Sequence, residues 1–249
     1  MEQKGRIAVI GIGPGDLEDM TPRARKAIAE ADTIAGYHTY IRLIAELTTG
    51  KEVIGTGMMQ EVDRCRLALE AASAGKNTVV ISSGDAGIYG MAGLILELLL
   101  KIAPEKRPVF AGVVAGISAV QAAASLLGAP LMHDFAVISL SDLMTPWEQI
   151  KKRAELAAQG DFVIALYNPK SKKRTAHIEE IQQILLQHKD PQTPVGIVRN
   201  AMRAGQEKYL STLANFTAEP LDMFSLVIIG NSHTYVQEGY MLTPRGYAL

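Results

Sequence analysis

The stretch SSGDAGIYGMAG, residues 82–93, decides how the rest of the chain is interpreted. It follows the β-branched run at residues 78–81, which predicts a buried strand, and it leads into an apolar segment that predicts a helix. In α/β proteins, ligands bind where parallel strands end and helices begin. A tight turn packed with small residues explains one glycine, but this stretch holds four, which leave the backbone open to close approach. The stretch therefore predicts a binding edge.

The same alternation of strand and helix patterns continues on both sides of this stretch. It predicts βαβ units and a mostly parallel sheet, covered on both faces, in an N-terminal α/β domain over residues 1–113. A glycine-rich hinge at 112–116 leads to a second α/β domain over residues 114–249, with a mixed sheet whose last strands are antiparallel. The predicted strands are 6–10, 33–35, 52–54, 78–81, 108–111, 135–140, 162–167, 193–199, 208–212 and 226–229, and the predicted helices include 22–31, 41–47, 62–73, 146–158 and 177–187.

Size and charge exclude several classes of protein. The chain has 249 residues, of which 48% are hydrophobic and 20% charged, and its formal net charge is −1. This describes an ordinary globular protein and gives no electrostatic reason for a nucleic-acid or membrane-surface partner. The single cysteine, Cys65, can neither form an internal disulfide nor hold a metal centre alone, which is consistent with a reducing cytoplasm. We expect no signal peptide, and the apolar segment 94–102 is too short to span a bilayer.

The first strand ends in GIGPGD at residues 11–16, which at first suggests a dinucleotide-binding loop. Asp16 stands where that fingerprint needs glycine, and no acidic residue closes the second strand to bind a ribose. Asp16 would repel a phosphate, so a positively charged ligand fits better.

The five histidines are scattered without metal-ligand spacing, and we predict no metal site on the protein. No G-x-S-x-G sequence supports a serine hydrolase.

The run from Lys170 to Arg174 is the densest basic segment of the chain. A solvated surface turn is one interpretation. The alternative is an anion site, because cations at the start of the following helix oppose its dipole unless an anionic ligand lies nearby. Arg199 could add to such a carboxylate-binding surface, since guanidinium groups pair well with carboxylates. The predicted substrate-binding residues are Lys170, Lys172, Lys173, Arg174, Arg203 and Arg245.

These motifs together resemble one family, the tetrapyrrole (corrin/porphyrin) methylases. The first loop at 11–16, the stretch at 82–93 and the GISA segment at 116–119 carry the resemblance. Within the family, the chain is most similar to the enzymes that methylate C17 of precorrin-3B or cobalt-factor III. Five further segments support this branch: GYHTYI at 36–41, LLGAPLMHDF at 126–135, ISLSDLMTPW at 138–147, LYNPKSKKR at 166–174 and TPRGY at 243–247.

The resemblance implies two α/β domains with S-adenosyl-L-methionine (SAM) held in a cleft between them, and a cytoplasmic homodimer. After methyl transfer, SAM would become S-adenosyl-L-homocysteine. Cobalt would be present only as part of the substrate. The implied cofactor-binding residues are Gly11, Gly13, Pro14, Gly15, Asp16, Gly84, Asp85, Ala86, Gly87, Ile88, Tyr89, Ser118, Ala119, Leu166, Tyr167, Asn168, Arg199, Asn200, Ala201, Thr243 and Pro244.

The implied reaction is methylation of C17 with contraction of the macrocycle, a step of cobalamin biosynthesis. Because a sulfonium methyl group is already activated, the transfer needs mainly alignment and exclusion of water. Ring contraction moves protons, and the polar residues considered for that role are Asp85, Tyr89, His38, Asp142 and His233. Two alternatives stay open at this point: a corrin methylase acting at C11 or C20, and a tetrapyrrole-binding protein without catalysis.

Overall fold

The computed structural model describes residues 4–171 and 173–248, so Lys172 of the basic run lies outside the described residues. The strands are β1 (Arg6–Gly11), β2 (Thr33–Tyr37), β3 (Glu52–Thr56), β4 (Asn77–Ser82), β5 (Val109–Val114), β6 (Gly128–Ala129), β7 (Phe135–Ser139), β8 (Val163–Tyr167), β9 (Pro194–Arg199), β10 (Glu207–Thr212), β11 (Ser225–Ile229), β12 (Tyr235–Gln237) and β13 (Tyr240–Leu242). The α-helices are α1 (Pro22–Ala29), α2 (His38–Leu43), α3 (Glu61–Ser73), α4 (Ala92–Leu100), α5 (Ala119–Leu127), α6 (Trp147–Gln159) and α7 (His177–Leu185).

The chain forms two compact units, Met1–Ala119 and Val120–Leu249. The division falls later than the predicted boundary after residue 113, which would cut β5 one residue before its end. β5 pairs with β1 through Val114, and the following Gly116 amide donates to Asp85 of the same unit. These contacts keep the predicted hinge segment in the first unit.

The first unit contains a five-stranded sheet in the order β3-β2-β4-β1-β5. Every neighbouring pair in it is parallel, as predicted from the alternation of strands and helices. Alternate residues of β1 point to opposite faces: Ile7 and Val9 pack with α3 and α4, whereas Ala8 and Ile10 pack with α1. The sheet is therefore buried on both faces, which explains why its strands read as continuous apolar runs.

The helix that follows β4 begins later than the sequence pattern suggests. Residues 83–91 form a loop, and α4 starts only at Ala92. Gly84 and Tyr89 have φ values of +68° and +53°, which a right-handed helix excludes. The predicted start of α1 is confirmed, because the Thr21 hydroxyl accepts a hydrogen bond from the Ala24 amide at 3.1 Å and Pro22 is the first helical residue.

The second unit contains a five-stranded sheet in the order β10-β9-β11-β8-β7. β7 and β8 are parallel, whereas β11 is antiparallel to both of its neighbours and β10 is antiparallel to β9. The mixed sheet and its antiparallel last strands are as predicted. Phe216 is fully buried in the core of this unit, together with apolar residues of α6 and α7. A three-stranded sheet of β12, β13 and β6 was not predicted, because strands of two or three residues carry too little pattern.

Across the described ranges, 4–171 and 173–248, no helix is both long and apolar enough to cross a membrane. Cys65 lies buried on α3, and burial raises the pKa of its thiol to about 11.

Candidate functional site

The carboxyl ends of the first unit's strands meet at one edge of its sheet, because all five strands are parallel. The loop at 11–16 follows β1, His38 follows β2, and Asp85 and Tyr89 follow β4. These predicted site residues therefore share one edge, which is where parallel sheets bind ligands.

Four glycines bring the strand ends and loops at this edge into backbone contact. Gly13 and Gly84 exchange two hydrogen bonds, with N···O distances of 3.1 and 2.7 Å. A Cβ atom on Gly116 would lie 2.2 Å from the Gly84 oxygen and 2.8 Å from the Gly11 oxygen. Only glycine fits at residue 116, and the strand ends present backbone rather than side chains.

Asp85 joins the loop after β4 to the loop after β5. Its Oδ2 accepts a hydrogen bond from the Gly116 amide at 3.0 Å, and its Oδ1 accepts one from the Gly87 amide at 2.7 Å. Charge-assisted bonds of this kind hold loops in place. Both carboxylate oxygens are thus used to position backbone, and we assign Asp85 a positioning role rather than proton transfer.

Two other glycines of the 82–93 stretch, Gly90 and Gly93, differ in whether a side chain would fit at their positions. A Cβ on Gly90 would lie 2.4 Å from the Ala86 oxygen, so that position demands glycine, whereas Gly93 has nothing within 4 Å. The Ser82 hydroxyl accepts a hydrogen bond from the Met91 amide at 3.1 Å and closes the loop. Within it, Ala86 is buried, but Ile88 and Tyr89 are exposed. The loop is thus a closed backbone structure that presents two apolar side chains.

Asp16 orders the first loop instead of projecting freely from it. Its Oδ1 accepts a hydrogen bond from the Glu18 amide at 2.8 Å and caps the short 3₁₀ turn Leu17–Asp19. The side chain stays exposed. An exposed carboxylate at a glycine-rich strand end favours a cationic ligand over a phosphate.

His38 and Arg64 flank the same edge, and Arg64 was missed in the sequence analysis. His38 is exposed and lies against Gly55, where an added Cβ would come within 2.6 Å of its Nδ1. Arg64 lies on α3 among the buried positions Cys65, Ala68 and Ala72. A cation on the apolar face of a predicted amphipathic helix was the available signal, because charged residues are almost never fully buried without a partner.

Predicted residues of the second unit gather at one edge of its mixed sheet. β8 and β9 are both antiparallel to β11, so they run in the same direction, and β7 is parallel to β8. Their carboxyl ends therefore bring together Asp142, Leu166–Asn168, Lys170–Arg174 and Arg199–Ala201 with Arg203, as far as these residues are described.

Other predicted residues of this unit lie at the opposite edge. His233 follows β11, whose end pairs with the start of β8. The Thr243 hydroxyl lies 2.8 Å from that of Thr234, beside His233, and Pro244 follows it. Arg245 donates to the Met132 carbonyl, which precedes β7, at 3.3 Å. The structure therefore separates His233, Thr243, Pro244 and Arg245 from Tyr167 and Arg199.

Arg174 is held inside the basic run. Its Nη1 donates to the carbonyls of Leu140 and Asn168 at 2.7 and 3.2 Å, and its Nε lies 3.7 Å from Asp142. Asp142 also accepts a hydrogen bond from His177 Nε2 at 3.2 Å. Desolvation acts to raise the pKa of Asp142, but its hydrogen bonds from His177 and its own amide, and the nearby cations, lower it below the usual value.

The Arg199 guanidinium is already paired. Its Nε donates to Asp222 at 2.8 Å and its Nη1 to Glu207 at 3.0 Å. These hydrogen bonds, to Asp222 and then to Glu207, raise the pKa of Arg199. An external carboxylate would compete with two resident ones, so the backbone of residues 199–201 is better placed than this guanidinium to contact a ligand.

Four further residues at this edge serve the local structure. The Tyr167 hydroxyl accepts a hydrogen bond from the Val120 amide at 3.0 Å, and Leu166 is fully buried. Asn168 and Asn200 have φ values of 53° and 51°, which asparagine adopts more readily than most residues. In the first unit, Ser118 is buried next to Ala119, the first residue of α5.

Among the described residues, no group of three or more His, Cys, Asp or Glu side chains could hold a metal ion.

Comparison with known proteins identifies close similarities along the chain. The sequence profile of the family Tetrapyrrole (Corrin/Porphyrin) Methylases matches residues 6–217. A probable cobalt-factor III C(17)-methyltransferase of Salmonella typhimurium is 53% identical over 243 residues, which are 98% of this chain and 100% of that relative. The crystal structure of the methyltransferase CobJ is 37% identical and superimposes with a TM-score of 0.90, covering 96% of this chain and 100% of that one. A uroporphyrin-III C-methyltransferase from Thermus thermophilus, complexed with S-adenosyl homocysteine, is 25% identical, with a TM-score of 0.72 and coverage of 91% and 97%.

Proposed function

The chain belongs to the tetrapyrrole (corrin/porphyrin) methylase family, and we propose that it is a SAM-dependent enzyme that methylates C17 of cobalt-factor III in cobalamin biosynthesis. Identity of 53% over the full length of a relative named for that reaction supports this choice. The name of this relative also favours the cobalt-containing substrate over metal-free precorrin-3B. In this proposal, cobalt is part of the substrate, and ring contraction accompanies the methylation.

The observation that carries the proposal is the backbone cradle at the strand ends of the first unit. Backbone of Gly11, Gly84 and Gly116 comes together here so closely that a Cβ on Gly116 would clash with the Gly84 and Gly11 oxygens, so this edge presents backbone rather than side chains to a ligand. SAM, when bound, supplies an activated methyl group on a positively charged sulfur. Residues 11–16, 84–89 and 118–119 would hold it, and the exposed carboxylate of Asp16 suits a cation.

Asp85, Gly13 and Gly84 have positioning roles at this edge. Asp85 holds two backbone amides, and Gly13 and Gly84 hold each other, so the loops are set before a ligand arrives. Preorganised alignment and exclusion of water supply most of the acceleration when the reacting group is already activated. For the proton movements of ring contraction, His38 and Tyr89 are the exposed candidates at this edge. Asp142 and His233 remain candidates from the second unit.

The second unit's part in the proposal is to bind the cofactor and the carboxylates of the substrate. Residues 166–168 and 199–201 lie at one edge of its sheet and are the favoured cofactor contacts there, whereas Thr243 and Pro244 lie at the other. Lys173 is exposed and Lys170 half-buried, so both are available for the carboxylates. We further propose a homodimer that works in the cytoplasm.

The test is an anaerobic incubation with ¹³C-methyl-labelled SAM and, separately, cobalt-factor III and metal-free precorrin-3B. The expected product from cobalt-factor III has gained one methyl group, has a changed visible spectrum, and carries the label at C17 by NMR. Excess S-adenosyl homocysteine should suppress the reaction, which is the control for transfer from SAM.

Each alternative has its own outcome. Label at C11 or C20 would assign a different corrin methylase, and tight binding of both ligands without transfer would indicate a binding protein. Reaction with precorrin-3B alone would overturn the choice of the cobalt-containing substrate.

A further inference from the structure

Arg64 is a buried cation whose charge is incompletely compensated. Its side chain is 4% exposed, and its Nε is buried without a hydrogen-bond partner. The other donors go to weak or neutral acceptors: Nη1 donates to the Thr56 hydroxyl at 2.7 Å and to the Gly57 carbonyl at 3.5 Å, and Nη2 to the Met91 sulfur at 3.7 Å. A buried guanidinium normally requires an anion, because desolvation of a charge is costly.

The nearest carboxylate does not meet that requirement. Glu61 Oε1 lies 4.0 Å from Arg64 Nη2, beyond hydrogen-bonding distance, and its side chain is 38% exposed. The same oxygen accepts a hydrogen bond from the Met59 amide at 3.3 Å. Arg64 therefore keeps donor capacity on Nη2 that no described side chain uses fully.

Arg64 lines a pocket at the carboxyl ends of the first unit's strands. The pocket has a volume of about 170 Å³. Sites that enclose a complete drug-sized ligand occupy roughly 300–1,000 Å³, so this one holds only part of a large ligand. Its lining includes Glu61 as well as Tyr37, Tyr40, Met58, Ser82 and Tyr89.

The loops around this pocket expose apolar side chains. Met58 and Tyr89 line it and are 52% and 56% exposed, and Met59 beside them is 76% exposed. Val62 and Ile88 add to the exposed apolar surface of the same two segments. A cation in the pocket with apolar groups around it suits a ligand that combines a flat apolar ring with short carboxylate arms.

We propose that the Arg64 pocket binds one carboxylate arm of the tetrapyrrole substrate, while the exposed apolar residues contact its ring. This site is additional to the basic run at 170–174, and the identity of its ligand rests on the proposed function. Nη2 of Arg64 donates to the carboxylate, which completes the compensation of the buried charge.

The test is titration of the protein with cobalt-factor III, without SAM, followed by absorbance under anaerobic conditions. Arg64→Met should raise the Kd about tenfold to a hundredfold, as expected for losing a charge-assisted hydrogen bond. Arg64→Lys, which keeps the charge but not the planar donor group, should give an intermediate loss. The matched control is Arg66→Met on the same helix, an exposed residue that pairs with Asp63 at 4.0 Å, and it should leave the Kd unchanged.

Thermal unfolding of the ligand-free protein separates binding from a structural role. Arg64→Met removes a poorly compensated buried charge, so its Tm should equal or exceed that of the wild type. A structural Arg64 would give the opposite pattern, a lower Tm with an unchanged Kd for the tetrapyrrole, and that result would overturn the assignment. A rise in the Kd for SAM alone would overturn it too, because the carboxylate bound would then be that of the methionine moiety.

The binding and methyl-transfer measurements together separate a failure of the Arg64 site from a failure of the proposed function. If Arg64→Met weakens tetrapyrrole binding but the wild type transfers no methyl group, the carboxylate site stands and the proposed function fails. If the wild type transfers the methyl group and Arg64→Met leaves binding unchanged, only the site fails. A wild type that binds no cobalt-factor III would overturn the site directly.

Discussion

Lys189 is the most deeply buried lysine that the structure describes, and it joins two strands of the second unit. Its side chain is 2% exposed, and its Nζ donates to the carbonyls of Phe162 and Gly230 and to Asp161, at 3.0, 3.1 and 3.2 Å. Phe162 precedes β8 and Gly230 follows β11, so one ammonium group holds the two strand ends together. Burial lowers the pKa of Lys189, and the bond with Asp161 opposes this.

We predict that Asp161→Asn destabilises the protein by removing the negative partner of this buried cation. Removing one member of a fully buried pair costs about 3–5 kcal/mol, and the 43% exposure of Asp161 reduces the expected loss to about 2 kcal/mol. Asparagine tolerates the φ of 53° at this position, so the backbone is not strained. Urea unfolding at pH 7 measures the loss, and Asp134→Asn, with its side chain 83% exposed, is the control that should change little.

The pH dependence of this difference checks its electrostatic origin. Desolvation acts to raise the pKa of Asp161, but hydrogen bonds from Ser232 and Lys189 lower it overall. A carboxyl with a depressed folded pKa stabilises fully above its unfolded pKa of about 3.9, and loses that contribution as pH falls through the folded value. The gap between wild type and Asp161→Asn should therefore hold from pH 7 to about 5 and shrink below about 4. A gap that persists at low pH would mean that the charge is not its cause.

The ends of β1, β4 and β5 form one assembly in which backbone replaces side chains. Gly11 ends β1, whereas Gly84 and Gly116 lie in the loops after β4 and β5, and the backbone of each is close to that of the other two. Such contacts depend on the sheet order, because β1 lies between β4 and β5. A methyl group at this junction must displace backbone rather than a mobile side chain.

We predict that Gly116→Ala and Gly93→Ala have opposite effects although they make the same chemical change. At residue 116, the added Cβ meets the Gly84 oxygen at 2.2 Å, so stability should fall by about 1–3 kcal/mol and the Kd for SAM should rise at least about tenfold. At residue 93, in α4, nothing lies within 4 Å, so alanine should stabilise by up to about 1 kcal/mol. Chemical unfolding and calorimetric titration measure the two quantities. Equal behaviour of the two variants would show that the junction is not closely packed.

The two units have separate sheets and cores, so their unfolding need not be a single transition. A ligand that binds only folded protein stabilises the unit that holds it. This makes thermal unfolding with and without ligand informative about binding even without a substrate.

We predict that SAM at 100 times its Kd raises the free energy of unfolding by about 2.7 kcal/mol, as binding linkage requires. For a chain of this size, the corresponding rise in Tm is about 5–10 °C, from roughly 2–4 °C per kcal/mol. Differential scanning calorimetry gives the shift. S-adenosyl homocysteine should also stabilise, whereas ATP, which shares the adenosine but adds phosphates near Asp16, should not. An equal shift with ATP would contradict a site selective for SAM.

The sequence by itself determined the strands of the two five-stranded sheets, most of the helices and the class of those two sheets, but not the short strands β6, β12 and β13. A β-branched run such as residues 78–81 indicates a buried strand, and a capping residue such as Thr21 indicates the start of a helix. Both signals can be recognised from the sequence because they involve only residues that are neighbours along the chain. The same local reasoning located the glycine-rich edge at 82–93 and the loop at 11–16. The family resemblance rested on these segments as well.

Only the tertiary structure decided which of these residues meet. β11 lies between β8 and β9 and runs against both, which places Tyr167 and Arg199 at one edge and His233 and Thr243 at the other. The positioning role that we propose for Asp85 depends on the amide of Gly116, which is distant in sequence and donates to it. These relations follow from strand order and strand direction. Both depend on contacts between segments that are distant in sequence, so the periodic pattern of the sequence does not predict them.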